Sequence, residues 1–232
     1  MRWLFFSIVL LVSACKDSNQ GYADWGYMVG SNADEIWHTK ADFYRNDKPI
    51  HGSSSGAIRS VSIKSLQIHD YKWDIGKGHS GENQLVPNRV NIEWISFHDK
   101  KRYGINLALP EDLGEKINAR YRVKVGKGWR EEQRNIIGIG LAPGGYVEVF
   151  LTNSFSYLKP DILLVRGVAQ EVETLSDKKK PVTQVYKAGF EEFNSTYGNA
   201  FRQYPTPLGL EWAPVMDAYR AAQPRTDTHP LN

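Results

Sequence analysis

The residues that decide the fold lie between positions 90 and 151. They contain VNIEWISF (90–97), RYGINLALPEDLGEKI (102–117) and IIGIGLAPGGYVEVFL (136–151). In the first run Val90, Ile92 and Trp94 share one side. Tyr103, Ile105, Leu107 and Leu109 do so in the second, and Ile137, Ile139 and Leu141 in the third. A period of two is that of a strand with one buried face. The charged turn His98-Asp99-Lys100-Lys101 separates the first two runs. Ala142-Pro143-Gly144-Gly145 folds the third back on itself, since Pro143 fixes φ and Gly144 accepts φ > 0. Between the runs the period changes. Leu109, Leu113 and Ile117 recur every four residues behind Pro110, Glu111 and Asp112, a proline and two acids suited to a helix start. This stretch predicts the core of an antiparallel sheet capped by a short helix.

Working outward, residues 37–44 predict a strand with Trp37, Thr39, Ala41 and Phe43 on one face, closed by a turn at Asn46-Asp47-Lys48-Pro49. Residues 58–68 read as a second strand whose phase slips: Val61 and Ile63 share one face, Leu66 and Ile68 the other, the pattern of a bulge or of burial on both sides. Residues 51–56 and the Gly-rich 76–87 read as loops, and 161–168 as a further strand. Beyond Ala169 the pattern turns helical. Tyr186, Phe190, Phe193 and Tyr197 form one stripe, and Trp212, Val215, Met216 and Tyr219 a second, with Pro214 tolerated in the first turn. Such stripes are core seams. The tail from Gln223 is polar and reads as frayed. A chain of 232 residues with 41% apolar content fits one domain. The expected fold is mainly β, an antiparallel β-sandwich-like domain over residues 23–232 with short helices, including C-terminal ones.

The N-terminus carries a different signal. Arg2, an unbroken apolar run over residues 3–12 and small residues after it form a secretory leader, too short for a spanning helix of about 20 residues. Leu11-Val12-Ser13-Ala14-Cys15 resembles the bacterial lipobox. That resemblance implies removal of residues 1–14, acylation of the Cys15 thioether, and a lipidated tether over residues 15–22. An ordinary leader with an incidental cysteine is the competing reading. Cys15 is the only cysteine of the chain, and acylation accounts for it where a free exported thiol would be hard to rationalise. Lys16, not aspartate, stands second in the mature chain, which by the usual sorting rule implies the outer membrane, facing the periplasm.

Motifs of catalysis occur without their context. Gly76-Lys77-Gly78-His79-Ser80-Gly81 spells a dinucleotide fingerprint, yet Glu82 to Pro87 leaves no room for the helix that would face the phosphates. Gly52-Ser53-Ser54-Ser55-Gly56 spells a nucleophile elbow outside any strand-to-helix turn, and no histidine is spaced to name it as the base. The six histidines show no metal-binding spacing. A net charge of +3, thinly spread, gives no nucleic-acid footprint. No enzymatic activity, cofactor, metal, nucleotide or nucleic acid is therefore expected.

The lipobox, I-x-W-x-S (Ile92, Trp94, Ser96), Y-x-x-x-L-x-L-P (Tyr103 to Pro110) and G-L-A-P-G-G (Gly140 to Gly145) together are similar to an uncharacterised family of bacterial envelope lipoproteins, a domain of unknown function. Some members are encoded beside type VI secretion lipase effectors as their immunity proteins. The resemblance implies a binding protein anchored in the membrane by lipid, with a cognate lipase effector as partner. Residues of exposed loops are the expected contacts: His51, Ser53, Ser54, His79, His98, Asp99 and Lys100. An envelope structural or ligand-binding lipoprotein without a toxin partner is the alternative.

Overall fold

Backbone groups of an apolar, alternating chain must find partners as the side chains leave water, and here they do so in sheets. In the computed structural model residues 21–54, 56–155 and 157–231 are described. In chain order the elements are β1 (Tyr22–Ser31), β2 (Glu35–Arg45), β3 (Lys48–Ser54), β4 (Ile58–Arg59), α1 (Ile63–Ile68), β5 (Asp74–Leu85), β6 (Arg89–Ser96), β7 (Lys101–Ala108), α2 (Leu113–Asn118), β8 (Arg120–Val125), β9 (Gly128–Gln133), β10 (Ile136–Ala142), β11 (Tyr146–Thr152), β12 (Ile162–Val168) and β13 (Gln170–Glu171). They are followed by α3 (Leu175–Lys179), α4 (Val182–Val185), α5 (Lys187–Gln203), α6 (Trp212–Ala221) and β14 (Pro230–Leu231).

The first sheet has the order β12-β11-β10-β1-β5, and the second β13-β7-β6-β2-β3 with β4 beside β2; β14-β8-β9 form a small third sheet. The fold is mainly β, with short helices, as expected. Pairing is antiparallel except between β1 and β10, which run parallel with Gly26 opposite Ile136. That exception follows from the path: the chain leaves β1 for the second sheet, returns to one flank of β1 as β5, and fills the other flank only at β10.

Between the sheets Trp25, Tyr27 and Val29 meet Ala41, Phe43, Val90, Ile92, Trp94, Ile139 and Val149 in one buried layer. A large apolar side chain removed from water in this way contributes about 2–3 kcal/mol. The outer faces are also covered. Trp212 and Met216 of α6 pack with Trp73, Tyr146 and Phe150 on the first sheet, so every residue of β10 and β11 is buried. Phe190 and Phe193 of α5 pack on Ile95 and Phe97 of the second. Both aromatic stripes are core seams, and Pro214 lies in the first turn of α6.

Several segments depart from the sequence reading. Residues 58–68 are not one strand: β4 has two residues, and Ser62 caps α1 by accepting from the Ser65 N–H at 3.4 Å. The slipped phase was a helix starting, with Leu66 as its buried residue. Residues 51–56 and 76–87 are largely strand, in β3 and β5, because each borders a strand with free backbone groups. The glycines of β5 suit this, since a Cβ on Gly78 would lie 1.9 Å from the Tyr27 carbonyl oxygen. Tyr22 belongs to β1 and not to a tether. In β2 the register shifts between Trp37 and Lys40, with His38 at φ 51°, so Trp37 faces α5 while Ala41 and Phe43 face the inter-sheet core. The helix predicted at Pro110 begins at Leu113. The tail is pinned and not frayed: Thr226 N–H donates to the Lys159 carbonyl at 3.0 Å, and β14 pairs with β8.

Candidate functional site

The turn Asn46-Asp47 holds both residues at positive φ, 48° and 63°, the two-residue geometry that matches the twist of a hairpin. It sends β3 back along β2 as the last strand of the second sheet. β5 is likewise the last strand of the first sheet, on the flank of β1. His51 on β3 lies opposite Phe43, and His79 on β5 opposite Tyr27. Their rings stack at 4.5 Å with 27° between planes, which brings the two edge strands together. Beneath them His51 meets the rings of Tyr27 at 5.4 Å and Trp25 at 6.2 Å. The Nε2 of His51 is buried and has no hydrogen-bond partner. Burial, and then the neighbouring His79, hold the His51 ring below its ordinary pKa. Ser53 and Ser54 continue β3, opposite Ala41 and Lys40.

Ser54 ends an antiparallel edge strand, not a strand-to-helix turn, and Gly76 to Gly81 lie within β5 with no helix behind them. Two adjacent sheet edges present backbone N–H and C=O groups to any extended segment laid beside them. Cys15 lies outside the described residues.

His98, Asp99 and Lys100 sit elsewhere, in the turn between β6 and β7. Asp99 is directed inward. Its Oδ1 lies 2.7 Å from His98 Nδ1, and its Oδ2 accepts from the Tyr103 hydroxyl at 3.0 Å and the Gly144 N–H at 2.7 Å. The Asp99 N–H donates to the Ser96 hydroxyl at 3.0 Å. Burial works to raise Asp99, but His98 and these donors outweigh it and hold the carboxyl below its ordinary value. Burial works to lower His98, yet the bond to Asp99 and the charges of Asp34 and Asp99 leave it raised. Lys100 is exposed at φ 57°.

Asp34, which the sequence reading passed over, completes this cluster. It is fully buried and accepts from the His98 backbone N–H at 2.9 Å. Burial pushes it up to about 7, against the pull of Ser96 and His98. On its other flank the His98 ring rests edge-on against Phe201 at 4.7 Å. Among the described residues no hydroxyl or thiol is bonded to the His98 ring as a nucleophile, and no three His, Cys, Asp or Glu side chains gather as a metal site.

Residues 11–209 match the family described as "Protein of unknown function (DUF2931)". The chain belongs to the DUF2931 family. No curated protein and no solved structure matches it. The DUF2931 match takes in both large sheets and α5, and ends before α6. Within it, the three short patterns in the central stretch turn out to be one physical object. I-x-W-x-S supplies Ser96, Y-x-x-x-L-x-L-P supplies Tyr103, and G-L-A-P-G-G supplies the Gly144 N–H, all of them hydrogen-bonded to Asp99. In this DUF2931 chain they tie the β6–β7 turn to the β10–β11 turn.

Proposed function

We propose that this protein is an outer-membrane lipoprotein, acylated at Cys15 and facing the periplasm, that acts as an immunity protein against a periplasm-delivered type VI lipase effector. Neutralising an enzyme requires no chemistry of the inhibitor. It requires a rigid frame, a surface with unsatisfied recognition capacity, and residence where the toxin arrives. The observation that carries this reading is the doubled edge of β3 and β5, with His51 stacked on His79 over a floor of Trp25, Tyr27 and Phe43. An interface of about 1,600 Å² is the standard size for a stable complex, and a domain of this size can supply its half. The leader and the lone cysteine support residence in the envelope.

An adjacent lipase-effector gene would favour this reading, and the test is co-expression of that effector with this protein in the periplasm. Rescue of growth and co-purification of the two proteins are expected. A chain that neither rescues growth nor co-purifies with the toxin is an envelope structural or ligand-binding lipoprotein instead.

A further inference from the structure

The positive charge of this chain is gathered in one hairpin. Residues 120–134 hold six basic side chains against Glu131 and Glu132, a net +4, while the whole chain carries +3. Everything outside the hairpin is therefore slightly acidic. β8 and β9 pair with Arg122 opposite Glu131 and Lys124 opposite Trp129, which puts Arg120, Arg122, Lys124, Trp129 and Glu131 on one face. Val123, on the other face, is buried. Arg120 is taken up by Glu131, and the buried Arg134 by Asp227. Arg122, Lys124 and Lys127 are exposed and have no carboxylate partner among the described residues. Arg122 lies over the Trp129 ring at 5.6 Å, and that ring is 48% exposed. On the opposite face, beside Val123, Arg130 lies over the ring of Tyr157, on which the 67% exposed Phe155 stacks. Exposed aromatic rings among unpaired cations are the composition of a surface that meets phospholipid headgroups.

Position agrees with composition. Because β1 and β10 run parallel, Tyr22 and the base of the hairpin at Gln133 stand at the same end of the first sheet. The seven links from Cys15 to Tyr22 reach at most about 25 Å, and β9 spans about 20 Å. The hairpin is long enough to close the gap that the tether leaves open. We infer that β8–β9 docks on anionic phospholipid headgroups, with Trp129 in the interfacial layer and Arg122 and Lys124 on phosphates. The inference rests on the lipid-anchored reading above, and it turns a simple tether into an orienting one.

The full lipidated chain tests this in vesicles of phosphatidylethanolamine with phosphatidylglycerol, and in vesicles of phosphatidylcholine alone. With Cys15 acylated, Lys127→Cys provides a single free thiol for a fluorophore. Lys72→Cys, just ahead of β5 at the opposite end, provides the control. Headgroup-located spin-labelled lipid should quench the label at 127 and not at 72, in the anionic vesicles only. At about 1 kcal/mol per cation, Arg122→Gln with Lys124→Gln should lower the docked-to-free ratio about 30-fold, and ~0.5 M salt should act in the same sense. Circular dichroism of the variant verifies its fold. Equal quenching at 127 and 72, or quenching indifferent to lipid charge, overturns the inference and leaves the hairpin to a protein partner. Flotation with vesicles after a salt wash tests the anchor separately. A chain that fails to float defeats the lipoprotein reading, while charge-dependent quenching at 127 in the same sample still upholds the docking.

Discussion

Arg220 of α6 grips Glu148 of β11 with two hydrogen bonds, at 2.5 and 2.9 Å, in a site where the glutamate is completely shielded from water. Trp73 Nε1 donates to the same carboxylate at 3.2 Å, and the Tyr146 hydroxyl at 2.6 Å. Removing one partner of such a pair strands a charge in the interior, at a cost of about 3–5 kcal/mol, whereas replacing both by apolar groups costs far less. Arg220→Ala should therefore lower the urea midpoint sharply. Arg220→Met combined with Glu148→Leu should recover much of the loss. Equilibrium unfolding of the two variants checks both statements.

Stability should depend on pH through the cluster around Asp99. Asp34, at about 7 in the fold against an ordinary 3.8, keeps a proton that the unfolded chain has already released. Its favourable contribution is complete below pH 3.8 and is lost as pH rises through 7. His98, raised, acts in the same direction: its contribution is present below 6.5 and disappears as pH rises through the folded value. Asp99, lowered, contributes above 3.8 and loses that contribution as pH falls. His51, lowered, opposes the first two weakly because it is partly solvated. The urea midpoint should be highest near pH 4, and lower at both pH 2 and pH 8. Asp34→Asn should flatten most of the decline from pH 4 to 8.

Gly144 is held at φ 76°, and a Cβ there would lie 2.2 Å from the backbone nitrogen of Gly209. Gly144→Ala meets both a disfavoured backbone region and a collision with main chain that cannot rotate away. A loss of about 2–4 kcal/mol is expected, read as a fall in melting temperature. Gly126, at φ 60° with open space around it, supplies the comparison: Gly126→Ala should cost only about 1–2 kcal/mol.

If the edge of β3 and β5 receives the partner, His51→Ala with His79→Ala should weaken the complex at least tenfold and leave the fold intact, because one of the two rings is exposed. Titration calorimetry against the purified effector gives the number. Unchanged affinity would direct attention to other surfaces.

Cys15→Ser should move the protein from the membrane pellet to the soluble periplasmic fraction, or halt it with its leader uncleaved. Fractionation and the mass of the N-terminal peptide report the outcome. Unaltered partitioning of a variant whose leader has been removed would contradict acylation.

Strands buried on one face only were legible in the sequence, and so were β10 and β11, buried throughout, because glycines stand between Ile137, Ile139 and Leu141 and Pro143-Gly144-Gly145 marks the turn. β6 and β7 alternate cleanly because their other sides are partly solvated. β1 escaped notice because it is buried at nearly every position after Asp24, which erases the period. β5 escaped for the opposite reason: as an edge strand it is mostly exposed and rich in glycine and polar residues, the composition of a loop. α1, at six residues, is too short to display a period. The candidate site was legible as residue types only. His51 and His79 are 28 positions apart in the sequence and meet because of sheet order, which no local pattern encodes. Asp34 lies in the polar run Ser31-Asn32-Ala33-Asp34-Glu35, and nothing there announces a carboxyl withdrawn from water.

The parallel pairing of β1 with β10 sets a timetable for assembly. The earliest strand occupies an interior place in the first sheet, and one of its two neighbours is made more than 100 residues later. Contacts so distant along the chain form slowly, since the intervening loop must first be closed. Along the export route proposed here, the chain emerging from the ribosome lacks the strand that would seal its first sheet. The first sheet cannot be completed until β10 has been made, and a sheet still open leaves a polypeptide easier to thread across a membrane.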